Sequence, residues 1–413
     1  MAEHSCARMG ALVDDGARIA AIRPVLLSAP YADPDNLEVR VALPTGWRTT
    51  GLVEVTLDDG TTGLGEGYLA VFAPHVFVST VELLAPFLAG RPAGDLAKRY
   101  RDMVRVTGYW SLQGAARHVV SAVEAALLDA LGKRAGVPAY ELLGGRRTDS
   151  IRLYASGGDS TSPSAMGAEL TAVAALGIGT FKIRARGHEA DKAVWTLEHA
   201  APHGIGVAVD MAQSLDDPGQ SAADALAFLD AVRAGTRQPV RFLEEPLGPA
   251  RAHEYPALRR SAGCPVAGGE TVTTARELLE RMAAGYYDMV QPDATVVGGP
   301  RQTLAVFAGA AEHGIDPVVH CWGSAVCQAA NYHAAFAGGG RLAEWPLPAY
   351  ALRRELLVEP FRIESGRLLP PRAPGLGVRL TAEVERRFAF RGDAVYHCLA
   401  TMPPAEPGRW RAD

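Results

Sequence analysis

Lysine is nearly absent from this chain of 413 residues: of 41 basic residues only Lys98, Lys133, Lys182 and Lys192 are lysine. Arginine is the default cation, so a lysine in a site-like context carries more information than usual. Cysteine is scarce as well. Cys6, Cys264, Cys321, Cys327 and Cys398 are odd in number and scattered, with no C-x-x-C pair. That argues against a disulfide framework or a zinc site and fits a reducing cytoplasm. No run approaches the ~18 uninterrupted apolar residues of a membrane helix. Residues 1–10 lack the apolar core of a signal peptide. Positive charge is not in excess: the formal net charge is -5, which gives no global electrostatic reason to bind nucleic acid. The Gly-rich phosphate-binding patterns are missing, so nucleotide-binding sheets lose support. Low-complexity tracts and strict repeats are missing too. The expectation is a cytoplasmic protein with neither a nucleic-acid nor a membrane partner.

What is present is the composition of a folded α/β protein, with 48% hydrophobic and 21% charged residues. The length calls for one large domain with a companion, or for two to three ordinary domains. The first third starts strand-rich. Residues 52–57 (LVEVTL) alternate as a strand does, and Asp58-Asp59-Gly60 is a turn. Residues 79–88 have helical spacing. In residues 121–135 apolar positions recur every three or four residues, with Ser121 and Glu124 spaced as a capping box and Gly136-Val137-Pro138 as the stop. The polar residues 146–150 mark a boundary. The Pro- and Arg-rich residues 402–413 read as a loose tail.

After residue 150, short apolar runs alternate with Ala/Leu-rich helical stretches. The runs lie at 151–155, 179–183, 206–209, 240–243, 266–267, 289–290 and 317–319, with a short eighth run before Glu344. Such alternation predicts parallel strands joined by crossover helices, in a barrel or a doubly wound sheet. From the second run onward each ends in a polar residue: Lys182-Ile183-Arg184, Asp210, Glu244-Glu245-Pro246, Gly269-Glu270, Gln291-Pro292-Asp293, His320 and Glu344. The spacings run from 23 to 34 residues. An eight-unit α/β barrel allots about 31 residues per unit and collects its active site from the carboxyl ends of its strands. Seven such residues in register therefore point to one site.

Asp210, Glu244 and Glu270 are hard oxygen donors on three consecutive strands. Their clustered charge calls for a cation, and oxygen-only ligation favours Mg²⁺ or Mn²⁺ over zinc. Lys182 and Arg184 lie on one side of that centre and His320 on the other. Asp293, one strand earlier, is placed to fix the tautomer of the histidine. Glu245 is expected to face away from the site. Glu66, between Gly65 and Gly67, reads equally as a turn residue or a functional carboxylate. Cys321 and Trp322 read as wall and core.

These residues resemble the enolase superfamily and, within it, the proteins similar to mandelate racemase and muconate lactonizing enzyme. The matching motifs are Lys182-Ile183-Arg184, Asp210, Glu244-Glu245-Pro246, Gly269-Glu270, Gln291-Pro292-Asp293 with Gly298-Gly299, His320, and Glu344-Trp345. Residues 125–145 and 359–377 resemble the last cap helix and the C-terminal return. The resemblance implies a modified (β/α)7β TIM barrel under an N-terminal α+β capping domain, with cap residues 1–147, barrel residues 148–355, and residues 356–413 returning to the cap. It implies Mg²⁺ on Asp210, Glu244 and Glu270 and a small-molecule carboxylate substrate. A base then abstracts the proton α to that carboxylate to give an enediolate, with Asp293–His320 as the dyad, Lys182 as an electrostatic partner and Glu344 at the electrophile position. Loops near residues 29–33 and 65–73 would shape substrate choice, and a symmetric homo-oligomer is implied.

Two departures refine the expectation. The second lysine of the family's K-x-K strand is Arg184, which keeps its proton at any working pH and makes a poor base. Ala212 stands where an asparagine is usual, two residues after Asp210, and removes a polar contact that an acid sugar would use. With one conventional base, His320, dehydration of an acid sugar or related hydroxy carboxylate is the leading expectation. A racemase, epimerase or cycloisomerase is second, and a non-catalytic metal-binding regulatory protein is third.

Overall fold

The computed structural model describes residues 16–32, 42–160, 162–212, 219–397 and 410. The N-terminal segment, Gln213 and most of the expected C-terminal tail lie outside these. Strands β1 (Ile19–Ala32), β2 (Trp47–Leu57) and β3 (Thr62–Glu66) form an antiparallel meander, and Ala349–Tyr350 adds to the free edge of β1. Three helices cover it: α1 (Pro74–Leu88), α2 (Leu96–Thr107) and α3 (Ala115–Ala135). Helix α3 is buried on nearly every side, as a helix apolar all round should be, because it lies between the cap sheet and the barrel. It ends where its glycine predicts, with Gly136 left-handed at φ 68°. Its start differs from the expectation. The helix begins at Ala115, and Ser121 sits inside it, its hydroxyl bonded to Arg117 O and to the Gly298 amide. The capping-box spacing was coincidental, because the apolar helical pattern continues upstream of it.

The barrel consists of β4 (Ile151–Gly157), β5 (Thr180–Arg184), β6 (Gly206–Asp210), β7 (Val240–Glu244), β8 (Val266–Gly268), β9 (Met289–Val290), β10 (Asp316–Pro317) and β11 (Leu342–Pro346). Neighbours pair in parallel and β11 pairs with β4; a bridge between Val319 and Ala343 joins the last two strands. The crossovers are α4 (Pro163–Ala175), α5 (Ala190–Ala200), α6 (Ala222–Gly235), α7 (Tyr255–Ser261), α8 (Ala275–Ala283), α9 (Pro300–His313) and α10 (Ala325–Gly338). Seven helices between eight strands, among the described residues, make this a (β/α)7β barrel.

Strand alternation divides the residues into two cores. Leu153, Phe181, Ile183, Val207, Val209, Leu243, Val266 and Val290 pack outward against the helices. Tyr154, Ala208, Phe242, Ala267, Met289 and Val318 fill the barrel axis. The same period of two turns Lys182, Arg184, Asp210, Glu244 and Glu344 inward, at the carboxyl ends of their strands. Past β11 the chain returns to the cap. Leu357 bridges Val378, Gly375 O accepts from the Ala139 amide, and Phe388 O accepts from the Ser28 amide. Asp129 of α3 ties three segments together, accepting from Leu64 N, Leu376 N and Lys133 Nζ. No helix among the described residues is long and apolar enough to cross a membrane.

Candidate active site

The strand-end residues singled out in the sequence converge at the barrel mouth under the cap. His320 Nδ1 lies 2.8 Å from Asp293 Oδ2. The Asp293 carboxylate is held from other directions by Thr295 N at 2.7 Å, Thr295 Oγ1 at 2.8 Å and Asn331 Nδ2 at 2.9 Å. Its acceptor role keeps a proton on Nδ1, while Nε2 faces Glu270 (3.5 Å) and Glu344 (3.9 Å). Burial works against the imidazolium, but Glu270, Glu344 and Asp293 outweigh it and raise the pKa of His320 to about 10 in the metal-free chain.

Lys182, 3% exposed, faces four groups: Glu244, Glu344 at 3.0 Å, Asp210 at 3.7 Å and the ring of Tyr154. Burial disfavours its charge, yet the surrounding carboxylates hold it protonated, well above the ordinary lysine range. Its chemistry is therefore that of a fixed positive charge. Glu344 accepts from the Cys321 amide at 2.6 Å. Burial pushes its pKa up, but Lys182, His320 and that amide bring it down to about 2, so it is ionised rather than a donor at the electrophile position.

Asp210 and Glu244 end neighbouring strands in register, and Glu270 follows the next strand. Burial raises Glu244 to about 8 even with Lys182 beside it, and repulsion from Asp210, Glu270 and Glu344 adds to the rise. Glu270 is raised by burial, with Asp210 and Glu344 adding to the rise and His320 and Lys182 opposing it. Among the described residues no three His, Cys, Asp or Glu side chains form a closed cage. Here Glu244 leans on Lys182, and Glu270 on His320. The donors nonetheless fit a hard divalent cation: three carboxylates on adjacent strand ends, Asp210 and Glu244 buried and Glu270 partly so, which repel one another when ionised. Glu245 faces away, as expected, bonded to Tyr255 Oη and the Gly269 amide.

Arg184 lies across the mouth from His320. Its Nε is 3.7 Å from Asp210 Oδ2, its Nη1 is 3.8 Å from Asp159 Oδ2, and its guanidinium rests 5.1 Å from the Trp322 ring centroid. Trp322 is thus a wall, stacked from another side by Arg353. The Ala212 backbone is left-handed at φ 54°, and its amide donates to Asp210 Oδ1. The residue two beyond Asp210 serves the aspartate through its backbone.

Several residues at the site have no signal in the sequence. Tyr68 stands edge-on to His320 with centroids 6.4 Å apart, and Arg48 covers its ring. Asn331 orients Asp293; Gln291, which the sequence does mark at the end of the sixth apolar run, donates to Glu244 at 2.5 Å. Tyr68 falls in the loop expected to shape substrate choice. Arg48 and Asn331 could only have been found by knowing which segments meet. Of the other loop, residue 33 lies outside the described residues.

Comparison with known proteins agrees with this architecture. Residues 165–384 match the family model described as enolase C-terminal domain-like, and residues 39–144 match the mandelate racemase / muconate lactonizing enzyme N-terminal domain. A D-xylonate dehydratase of Haloferax volcanii is 28% identical over 382 residues, covering 88% of this chain and 91% of that one. A D-galactarolactone cycloisomerase of Agrobacterium fabrum is 28% identical over 356 residues, covering 82% and 90%. Among solved structures, L-talarate/galactarate dehydratase from Salmonella typhimurium LT2 superposes with a TM-score of 0.77 at 23% identity, over 91% of this chain and 92% of that one. With both of its domains matched, the chain belongs to the enolase superfamily, in the mandelate racemase/muconate lactonizing enzyme branch.

Proposed function

We propose that this protein is a Mg²⁺-dependent dehydratase of an acid sugar or related hydroxy carboxylate. The observation that carries the reading is asymmetry across the site: a histidine–aspartate pair on one side and an arginine on the other. Named relatives support the class, since D-xylonate, D-gluconate and D-galactonate dehydratases all match over most of their length or of this chain.

Asp210, Glu244 and Glu270 would hold the cation. When bound, it supplies positive charge opposite the substrate carboxylate, where negative charge grows as the α-proton leaves. Were Glu270 to hold it, its pull on His320, the largest of those that raise the imidazole, would be shared with the cation. His320 Nε2 takes the α-proton while Asp293 holds Nδ1–H and steadies the imidazolium. Lys182, whose charge the surrounding carboxylates favour, meets the charge on the carboxylate oxygens. The electron pair left at the α-carbon expels the β-hydroxyl. The proton on His320 passes to that oxygen, water leaves, and the enol tautomerises to a 2-keto-3-deoxy acid. Arg184 keeps its proton and orients the substrate. Glu344 holds Lys182 and the His320 loop in place.

The test is a pair of variants assayed for 2-keto acid formation. His320→Ala should abolish turnover, whereas Arg184→Ala should act mainly on KM. Intact turnover in His320→Ala with complete loss in Arg184→Ala would overturn the assignment of the base. The cycloisomerase among the relatives favours a second reading, isomerisation through the same proton abstraction.

A further inference from the structure

The carboxylate of Glu66 is buried at 1% exposure, belongs to the cap, and takes no part in the chemistry above. Its neighbours on the strand explain its direction. Gly63, Gly65 and Gly67 share the face of β3 that presses on α3, and a β-carbon at Gly65 would overlap the Ala122 carbonyl. Alternation then sends the Glu66 side chain the other way, across the domain boundary, into the turn that follows His320. There it accepts from Ser324 N at 3.1 Å, Ser324 Oγ at 2.5 Å and Cys327 N at 3.0 Å. These are the N-cap and first-turn donors of α10, a 14-residue helix, so an anion meets both open amides and the positive end of the helix dipole.

Helix α10 carries Asn331, which donates to Asp293 Oδ1 at 2.9 Å and accepts from Ala294 N at 2.8 Å. Residues 320–324, which lead into the helix, are fixed by their carbonyls as well. Arg48 of the cap donates to Trp322 O at 2.7 Å, and Arg353 donates to Gly323 O at 3.0 Å. Both members of the dyad are thus set by a turn and a helix whose shared junction Glu66 clamps.

We infer that Glu66 is a positioning residue for the Asp293–His320 dyad, through which the cap takes part in proton abstraction as well as covering the site. The inference rests on His320 being the base, and its test separates the two ideas. In Glu66→Ala, kcat should fall about 10- to 100-fold with KM within about threefold, an effect of the size expected when a general base is misplaced. Glu66→Gln, which keeps one acceptor oxygen, should restore part of the loss. The primary isotope effect on α-deuterated substrate should grow as proton transfer slows. Independently of turnover, the downfield ¹H resonance of the His320 Nδ1–H, identified by its loss in His320→Gln, should broaden or shift in the same order. If Glu66→Ala does not fold, Ser324→Ala removes one donor to the carboxylate and should lower kcat about 3- to 10-fold at unchanged KM. Folded Glu66 or Ser324 variants with wild-type kcat and an unchanged His320 resonance would overturn the inference. If the wild-type protein turns over no hydroxy carboxylate, the functional reading fails, and the resonance still decides the positioning.

Discussion

At the residue scale, the site is a balance of buried charges, and each variant leaves a particular group unpaired. Lys182 is shared by Glu244, Glu344 and Asp210, so Lys182→Met would leave carboxylates buried without their cation. Breaking a buried pair from one side costs about 3–5 kcal/mol. The metal-free variant should therefore melt well below wild type, and saturating Mg²⁺ should recover part of the difference, measured by thermal unfolding with and without the ion. Glu124 is a second such group, away from the chemistry. Among the described residues no side chain donates to either of its oxygens, and burial raises it to about 7 against the charge and backbone amide of Arg301. An acid raised on folding binds its proton more tightly in the native state, so it lowers stability progressively from about pH 4.5 to pH 7. Glu124→Gln should match wild type near pH 4 and exceed it at pH 8, as read by denaturant midpoints at the two pH values. Equal midpoints at pH 8 would show that the carboxylate is solvated.

At the scale of elements, the strand ends were legible because two periodicities coincide. Alternation along each strand selects the inward residue, and the repeat of strand and helix brings those residues to one end. That is why Lys182, Asp210, Glu244, His320 and Glu344 could be picked out before any coordinates. What was not legible depends on contacts between segments far apart in the chain. Arg48 reaches Trp322, Asn331 reaches Asp293 across a helix, and Glu66 reaches Ser324 across 258 positions. Its local pattern, a carboxylate between glycines, fits a turn equally well. The start of α3 was misplaced for a related reason: a cap is a local signal, and burial on all sides lets the helix run on past it. The close approach of β3 to α3 gives a direct test. Gly65→Ala forces its new methyl against the Ala122 backbone, which cannot move without shifting the helix. Overpacking of this kind costs about 1–3 kcal/mol and more where backbone is involved. Urea denaturation should show at least that loss, and an unchanged midpoint would mean that the strand and helix sit further apart than described.

At the scale of the whole molecule, Glu66 and Arg48 tie the cap to the barrel, and Asp129 ties it to the C-terminal return. Asp129 binds β3, α3 and the C-terminal return at once, so Asp129→Ala should strand two buried amides and loosen the cap. Proteolysis in the cap at unchanged barrel protection would display that effect. Such a molecule should abstract a proton from one face only and then eliminate water. The most direct measurement incubates Mg²⁺-loaded protein in D2O with a panel of mono- and diacid sugars and simpler 2-hydroxy acids, followed by NMR. The expected result is a 2-keto-3-deoxy product carrying one solvent deuteron, and no deuterium with inversion in the recovered substrate. Deuterium entering unreacted substrate with inversion, without keto acid, would contradict it and make Arg184 a proton carrier after all.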